Sequence, residues 1–167
     1  VLYYADESHV CMNGYVPYGW QFKDENVSIP SGKTARLNIF GMITKKNQYK
    51  GFTTQEAINA DKVVDYLDKL SIEVTKKTVV VLDNASIHRN RKMKELRKIW
   101  EKRGLFLFYL PPYSPELNPA ETLWRILKGK WIRPIDYQTS DSLFYCTNSA
   151  LASVGTALFV NYSYSLI

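Results

Sequence analysis

Three carboxylates stand where the chain changes from one element to the next. Asp6 ends the aromatic run Leu2-Tyr3-Tyr4-Ala5, Asp83 follows the β-branched run Thr78-Val79-Val80-Val81-Leu82, and Glu121 closes Asn118-Pro119-Ala120-Glu121. A carboxylate just past a buried strand sits where ligands collect in open α/β sheets. The structural alternative is that each Asp breaks a strand and caps a turn. Glu121 has such an alternative too, since Asn as N-cap, Pro at N1 and Glu at N3 form a helix-start pattern. A second chemistry lies in the cations. Between residues 76 and 103, Lys76, Lys77, Arg89, Arg91, Lys92, Lys94, Arg97, Lys98, Lys102 and Arg103 face only Asp83, Glu95 and Glu101. A charge run is ordinarily a solvated helix face. Beginning beside Asp83, this one also offers a phosphate-binding surface, with salt-sensitive affinity and little sequence discrimination. Lys33, Arg36, Lys128, Lys130 and Arg133 extend the same track.

The elements that must position these groups are legible from periodicity. Residues 2–6, 15–22, 35–44 and 49–53 read as strands, with Asn13-Gly14 as a hairpin turn and 24–33 as a loop. Residues 54–70 carry Ala57, Val63, Val64, Leu67 and Leu70 at helical spacing. The run 78–82 has the composition of a strand buried on both faces. A basic helix over 90–103 is closed by Gly104, and a further buried strand spans 105–110. Residues 111–119 form a proline-rich loop, 120–128 a helix, and the uncharged tail from Ser142 one more helix. A hairpin meander followed by alternating helix and strand predicts an α/β fold, a mixed sheet flanked by helices.

Composition sets the outer bounds. The 167 residues are 46% apolar and 14% aromatic, too hydrophobic for a disordered chain and enough for one domain spanning 1–167. A net charge of +6 favours a polyanionic partner. Cys11 and Cys146 alone supply neither a disulfide framework nor a zinc site, which fits a reducing cell interior. The serines and asparagines of the tail argue against a membrane span and for a soluble protein.

Several sequence blocks resemble those of mariner-superfamily transposases, in particular their bacterial insertion-sequence branch. They are Tyr4-Ala5-Asp6-Glu7, Asp83-Asn84-Ala85-Ser86-Ile87-His88, and the proline-rich block from Leu110-Pro111-Pro112-Tyr113 through Asn118-Pro119-Ala120-Glu121. Tyr18-Gly19-Trp20 and Leu37-Asn38-Ile39-Phe40-Gly41 are similar to the connecting segment, and the likeness runs to about Lys130. The 37 residues between Asp83 and Glu121 match the family's spacing.

The resemblance implies a ribonuclease-H-like fold, with an antiparallel three-strand meander plus parallel strands. It also implies a catalytic and metal-binding triad of Asp6, Asp83 and Glu121, holding two Mg2+ ions with Mn2+ as substitute. Hard carboxylate oxygens suit such ions, and a pair of them can activate a hydroxyl and stabilise a leaving oxyanion. Asn84, His88 and Asn118 fall in the same blocks as supporting residues, although His88 also reads as a structural histidine at a helix start. Strand alternation points Glu7 away from Asp6. Glu116 is the rival of Glu121, and the family pattern, which places the acid after Asn-Pro, selects Glu121. Trp124 reads as core.

The implied activity is cleavage of DNA at transposon ends, followed by strand transfer of the freed 3′-hydroxyl into target DNA. The implied partners are DNA and a second copy in a synaptic homodimer, with no membrane, in a bacterial or archaeal cytoplasm beside the chromosome. The family's N-terminal helix-turn-helix recognition region is absent from this sequence, and the tail from Asp136 onward resembles the family poorly. The rival readings are a ribonuclease-H-like nuclease without strand transfer and an inactive DNA-binding transposon remnant.

Overall fold

The computed structural model describes residues 1–12, 35–83, 91–111 and 117–162. Five strands form one sheet: β1 (Leu2–Cys11), β2 (Arg36–Ile43), β3 (Tyr49–Thr54), β4 (Thr78–Leu82) and β5 (Leu105–Tyr109), in the order β3-β2-β1-β4-β5. β1 pairs antiparallel with β2, and β2 with β3. β4 pairs parallel with both β1 and β5. The mixed sheet with an antiparallel meander is therefore present. The turn at 13–14, the strand at 15–22, the loop at 24–33 and the Tyr18-Gly19-Trp20 segment lie outside the described residues.

Alternation along the strands divides the interior in two. Tyr3, Ala5, Phe40, Met42, Val80 and Leu82 face α1 (Ala60–Glu73) and α2 (Arg91–Arg103), which contribute Val63, Leu67, Met93 and Trp100. Val10, Leu37, Ile39 and Ile43 face the opposite way. They meet α3 (Pro119–Ile126), the π turn Leu127–Trp131 and α4 (Ser140–Ala152), through Leu123, Trp124, Leu127 and Leu143. A period of two on the strands thus supplies both cores.

Several boundaries differ from the sequence expectation, each for a local reason. β1 runs on to Cys11 because β2 accompanies it that far, down to the pair Cys11↔Arg36. Asp6 therefore lies in mid-strand rather than near the strand's end. α1 begins at Ala60, not at residue 54, because β3 keeps the chain extended to Thr54 and Asn59 caps the helix, its side chain accepting from Lys62 N at 3.0 Å. β5 is an edge strand with Phe108 58% exposed, where a buried strand was expected. The terminal helix ends at Ala152 and the chain then turns, with Gly155 at a positive φ of 84°.

The tail is built into the second core despite its weak family likeness. Leu143, Val154 and Val160 are buried there. Asn47, in the turn after β2, donates to Val160 O at 3.1 Å and accepts from Val160 N at 2.6 Å. Thr53 donates to Asn148 Oδ1 at 2.8 Å. Among the described residues, no helix is long and apolar enough to cross a membrane.

Candidate active site

β1 and β4, neighbours in the middle of the sheet, bring two of the three acids side by side. Their parallel register is Leu2↔Val79, Tyr3↔Val80, Tyr4↔Val81. Continued by two residues, it sets Asp6 level with Asp83, and parallel partners point to the same face. Since Tyr3 and Ala5 face α1 and α2, that face is the one covered by α3.

The third acid arrives on α3, and Asn118 decides where that helix starts. Its side-chain oxygen accepts from Ala120 N at 3.1 Å, while its side-chain amide donates to Ala5 O at 3.1 Å. The same residue caps α3 and ties its first turn to the strand residue preceding Asp6. The capping pattern read from sequence is only half realised. Asn118 caps, but the exposed Glu121 carboxylate makes no return hydrogen bond among the described residues. Asn118→Ala is expected to cost about 1–3 kcal/mol in urea denaturation, through the lost cap and the unpaired Ala5 carbonyl.

The acids register one another electrostatically. Burial, then the Glu121 and Glu7 carboxylates, push Asp6 up to about 7; Asp83 adds to the rise and a hydrogen bond from Trp124 opposes it. That bond runs from Trp124 Nε1 to Asp6 Oδ2 at 2.9 Å. Lys128 stands in the same field. Burial lowers its pKa, assisted by Arg36, while Cys11, Glu121 and Asp6 hold it up. Among the described residues, no group of three or more His, Cys, Asp and Glu side chains stands close enough to hold a metal ion as placed here.

The family described as DDE superfamily endonuclease matches residues 1–144 of the 167. The chain belongs to this family. The chain is also 37% identical over 54 residues to the uncharacterized protein y4pE/y4sA of Sinorhizobium fredii (strain NBRC 101917 / NGR234), a match that covers 32% of this chain and 36% of that protein. Its fold matches a Mos1 transposase paired-end complex with the left transposon end (TM-score 0.65, 15% identity) and a Mos1 mariner paired end complex with Mn (TM-score 0.67, 17% identity). Each match covers 91% of this chain and 48% of the Mos1 chain, so the chain spans about half the length of those relatives. The catalytic core domain of BIV integrase matches at a TM-score of 0.57 and 14% identity, over 94% of this chain and 84% of that one.

Among the described residues, the basic run is dispersed rather than gathered beside the acids. Lys76 and Lys77 precede β4 while Asp83 follows it, so about 20 Å or more of extended chain separates them. Lys77 Nζ lies over the Phe106 ring, 5.8 Å from its centroid. α2 packs on the sheet face opposite α3, and much of its charge is spent within the molecule. Arg91 pairs with Glu95 at 2.7 Å, Lys92 with Asp61 at 2.7 Å and Arg97 with Glu101 at 2.9 Å. Lys94 and Lys98 are exposed and carry no ion pair among the described residues. Asn84, His88, Arg89 and Glu116 lie outside the described residues. Glu7 lines a cavity of about 590 Å³ with His9, Arg36 and Asn38, and still adds to the charge felt by Asp6.

Trp124 and Lys128 are the neighbours that sequence reading undervalued. Trp124 is buried, as a core residue should be, yet its indole N–H serves Asp6. The available signal was spacing: Glu121, Trp124 and Lys128 follow i, i+3, i+7, which stacks them along one helical face.

Proposed function

We propose that this chain is the catalytic part of a transposase, with Asp6, Asp83 and Glu121 as its metal-binding acids. The observation that carries this reading is the charge on Asp6. Burial first, then repulsion from Glu121 on α3, from the adjacent Glu7 and from Asp83 just past β4, lifts this half-buried carboxylate to about 7. An all-oxygen donor set with unmatched negative charge suits hard divalent cations, Mg2+ with Mn2+ as substitute, and two of them are expected. When bound, such ions supply activation of a hydroxyl nucleophile and neutralisation of the leaving oxygen.

The chain's own residues supply the rest. β1, β4 and the start of α3 give the acids a rigid support. Lys128, which feels the Glu121 and Asp6 charges, offers positive charge to the phosphates of a DNA strand entering the site. Lys94 and Lys98 add a second basic surface on the far side of the sheet, reachable by target DNA or by a second copy in a synaptic homodimer. The cellular site of action would be beside the chromosome.

The reaction has two stages at this one place: water cuts a phosphodiester at the transposon end, and the freed 3′-hydroxyl then attacks target DNA. Incubating the chain with Mn2+, an oligonucleotide bearing a free 3′-end and a supercoiled plasmid tests this. Joined products are the expected result. Cuts without joining would indicate a ribonuclease-H-like nuclease, and intact DNA an inactive remnant.

A further inference from the structure

We propose that Trp124 is a positioning residue for Asp6, seated by two glycines that cross the sheet beside that carboxylate. The inference rests on the reading of Asp6 as a metal ligand, and it assigns a role to three residues that are not ligands themselves.

The row begins at Asp6, which pairs with Gly41 of β2; Gly41 in turn pairs with Gly51 of β3. Antiparallel partners point to the same face, so beside Asp6 the sheet presents two positions without side chains. That gap is filled. A Cβ on Gly41 would lie 2.6 Å from Trp124 Cη2 and 2.8 Å from the Tyr49 ring and hydroxyl. A Cβ on Gly51 would lie 2.6 Å from the Tyr49 hydroxyl and clash with Phe40 O. Any larger residue at position 41 would therefore have to displace the indole. Trp124 is only 4% exposed, and the Tyr49 hydroxyl that walls it in is buried with no hydrogen-bond partner among the described residues. Close packing thus fixes the ring, and the ring aims its one polar atom at Asp6 Oδ2.

The consequence for Asp6 is orientational. A carboxylate on a strand can rotate about its last torsion, and a single strong donor on one oxygen selects one rotamer and leaves the other oxygen for a cation. Outer-shell hydrogen bonds to ligating carboxylates act in this way, and removing one typically weakens metal binding about 10–100-fold. A ring placed there only for packing would serve as well without its nitrogen.

Trp124→Phe keeps most of the ring and deletes the donor. Mn2+ binding, followed by electron paramagnetic resonance of the free ion, is expected to weaken about 10–100-fold in this variant. In Asp6→Asn it should weaken further, with both variants folded by circular dichroism. A second readout uses wild-type protein alone, its signals assigned through the chain in a 15N-labelled sample. The Trp124 indole N–H cross-peak should shift as Mg2+ is added. The Trp100 cross-peak, whose N–H is bonded to Asp68 Oδ1 at 2.8 Å, should not. Wild-type affinity in Trp124→Phe, or a stationary Trp124 signal while Mg2+ binds, overturns the positioning role and leaves Asp6 as a ligand. Wild-type affinity in Asp6→Asn, or no binding by the wild type, overturns the metal-site reading and this inference with it. Should Trp124→Phe fail to fold, the wild-type spectrum decides alone.

Discussion

Asp6→Asn is expected to abolish metal-dependent nicking and, in the same protein, to raise the melting temperature of the metal-free chain at pH 8. Loss of a carboxylate that holds catalytic cations should cost roughly 10³-fold or more in rate. The gain in stability follows from the sign of the shift. Asp6 titrates near 7 in the folded chain, against an ordinary 3.8. Folding therefore favours its protonated form. The associated stability is fully present below about pH 4, declines as the pH rises, and is gone once the pH passes about 7. At pH 8 the folded protein holds a carboxylate that burial and the Glu121, Glu7 and Asp83 charges oppose. Asparagine removes that charge and can still accept from Trp124 Nε1. The gain should be about 2–4 kcal/mol, or roughly 5–15 °C in Tm. Scanning calorimetry with chelator at pH 4 and pH 8 checks this: the two proteins should converge at low pH and separate at high pH. A variant that nicks like wild type, or that melts lower at pH 8, would show that Asp6 does not sit in a charged, partly desolvated cluster.

Metal affinity is expected to fall about tenfold for each unit of pH below 7, which is the second large effect. A cation can bind Asp6 only after the carboxyl has lost its proton, so protons compete for the site wherever Asp6 is protonated. For a carboxylate of ordinary pKa, that competition would begin only near pH 4. Here burial and the Glu121 charge move it up to about 7. Mn2+ titrations from pH 5.5 to pH 8 should give a rising affinity that levels off above about 7. A flat profile over that interval is the contrary result. The physical logic is that of a site prepared for positive charge: acidic groups that repel one another when bare are matched by a cation when it arrives.

Where the determining interactions are local, the sequence was sufficient. The β-branched run gave β4 at Thr78–Leu82 without error, because a strand buried on both faces needs only a continuous apolar stretch. The basic helix ends at Arg103 with Gly104 at a φ of 94°, the left-handed turn that its glycine predicts. Asn118 caps α3 as Asn-Pro-Ala-Glu suggests. The blocks around Asp6, Asp83 and Glu121 are legible through their resemblance to a known family. The family they point to is the one the chain belongs to.

Tertiary structure decided what those acids and cations have for neighbours. No periodicity tells β1 to continue past Asp6; that depends on β2 pairing with it as far as Arg36. The sequence places the basic run directly after Asp83, yet the fold puts α2 on the face opposite α3 and occupies Arg91, Lys92 and Arg97 with internal partners. Proximity along a chain ends within a few residues of a strand, because the next helix must choose a face of the sheet. Trp124 illustrates the same limit. Its burial follows from spacing, but its bond to Asp6 spans 118 residues and needs two glycines on two further strands to make room. Residue type and local period fix which elements form and which groups they carry, whereas register and choice of face, set by pairings across a hundred residues, fix which of those groups meet.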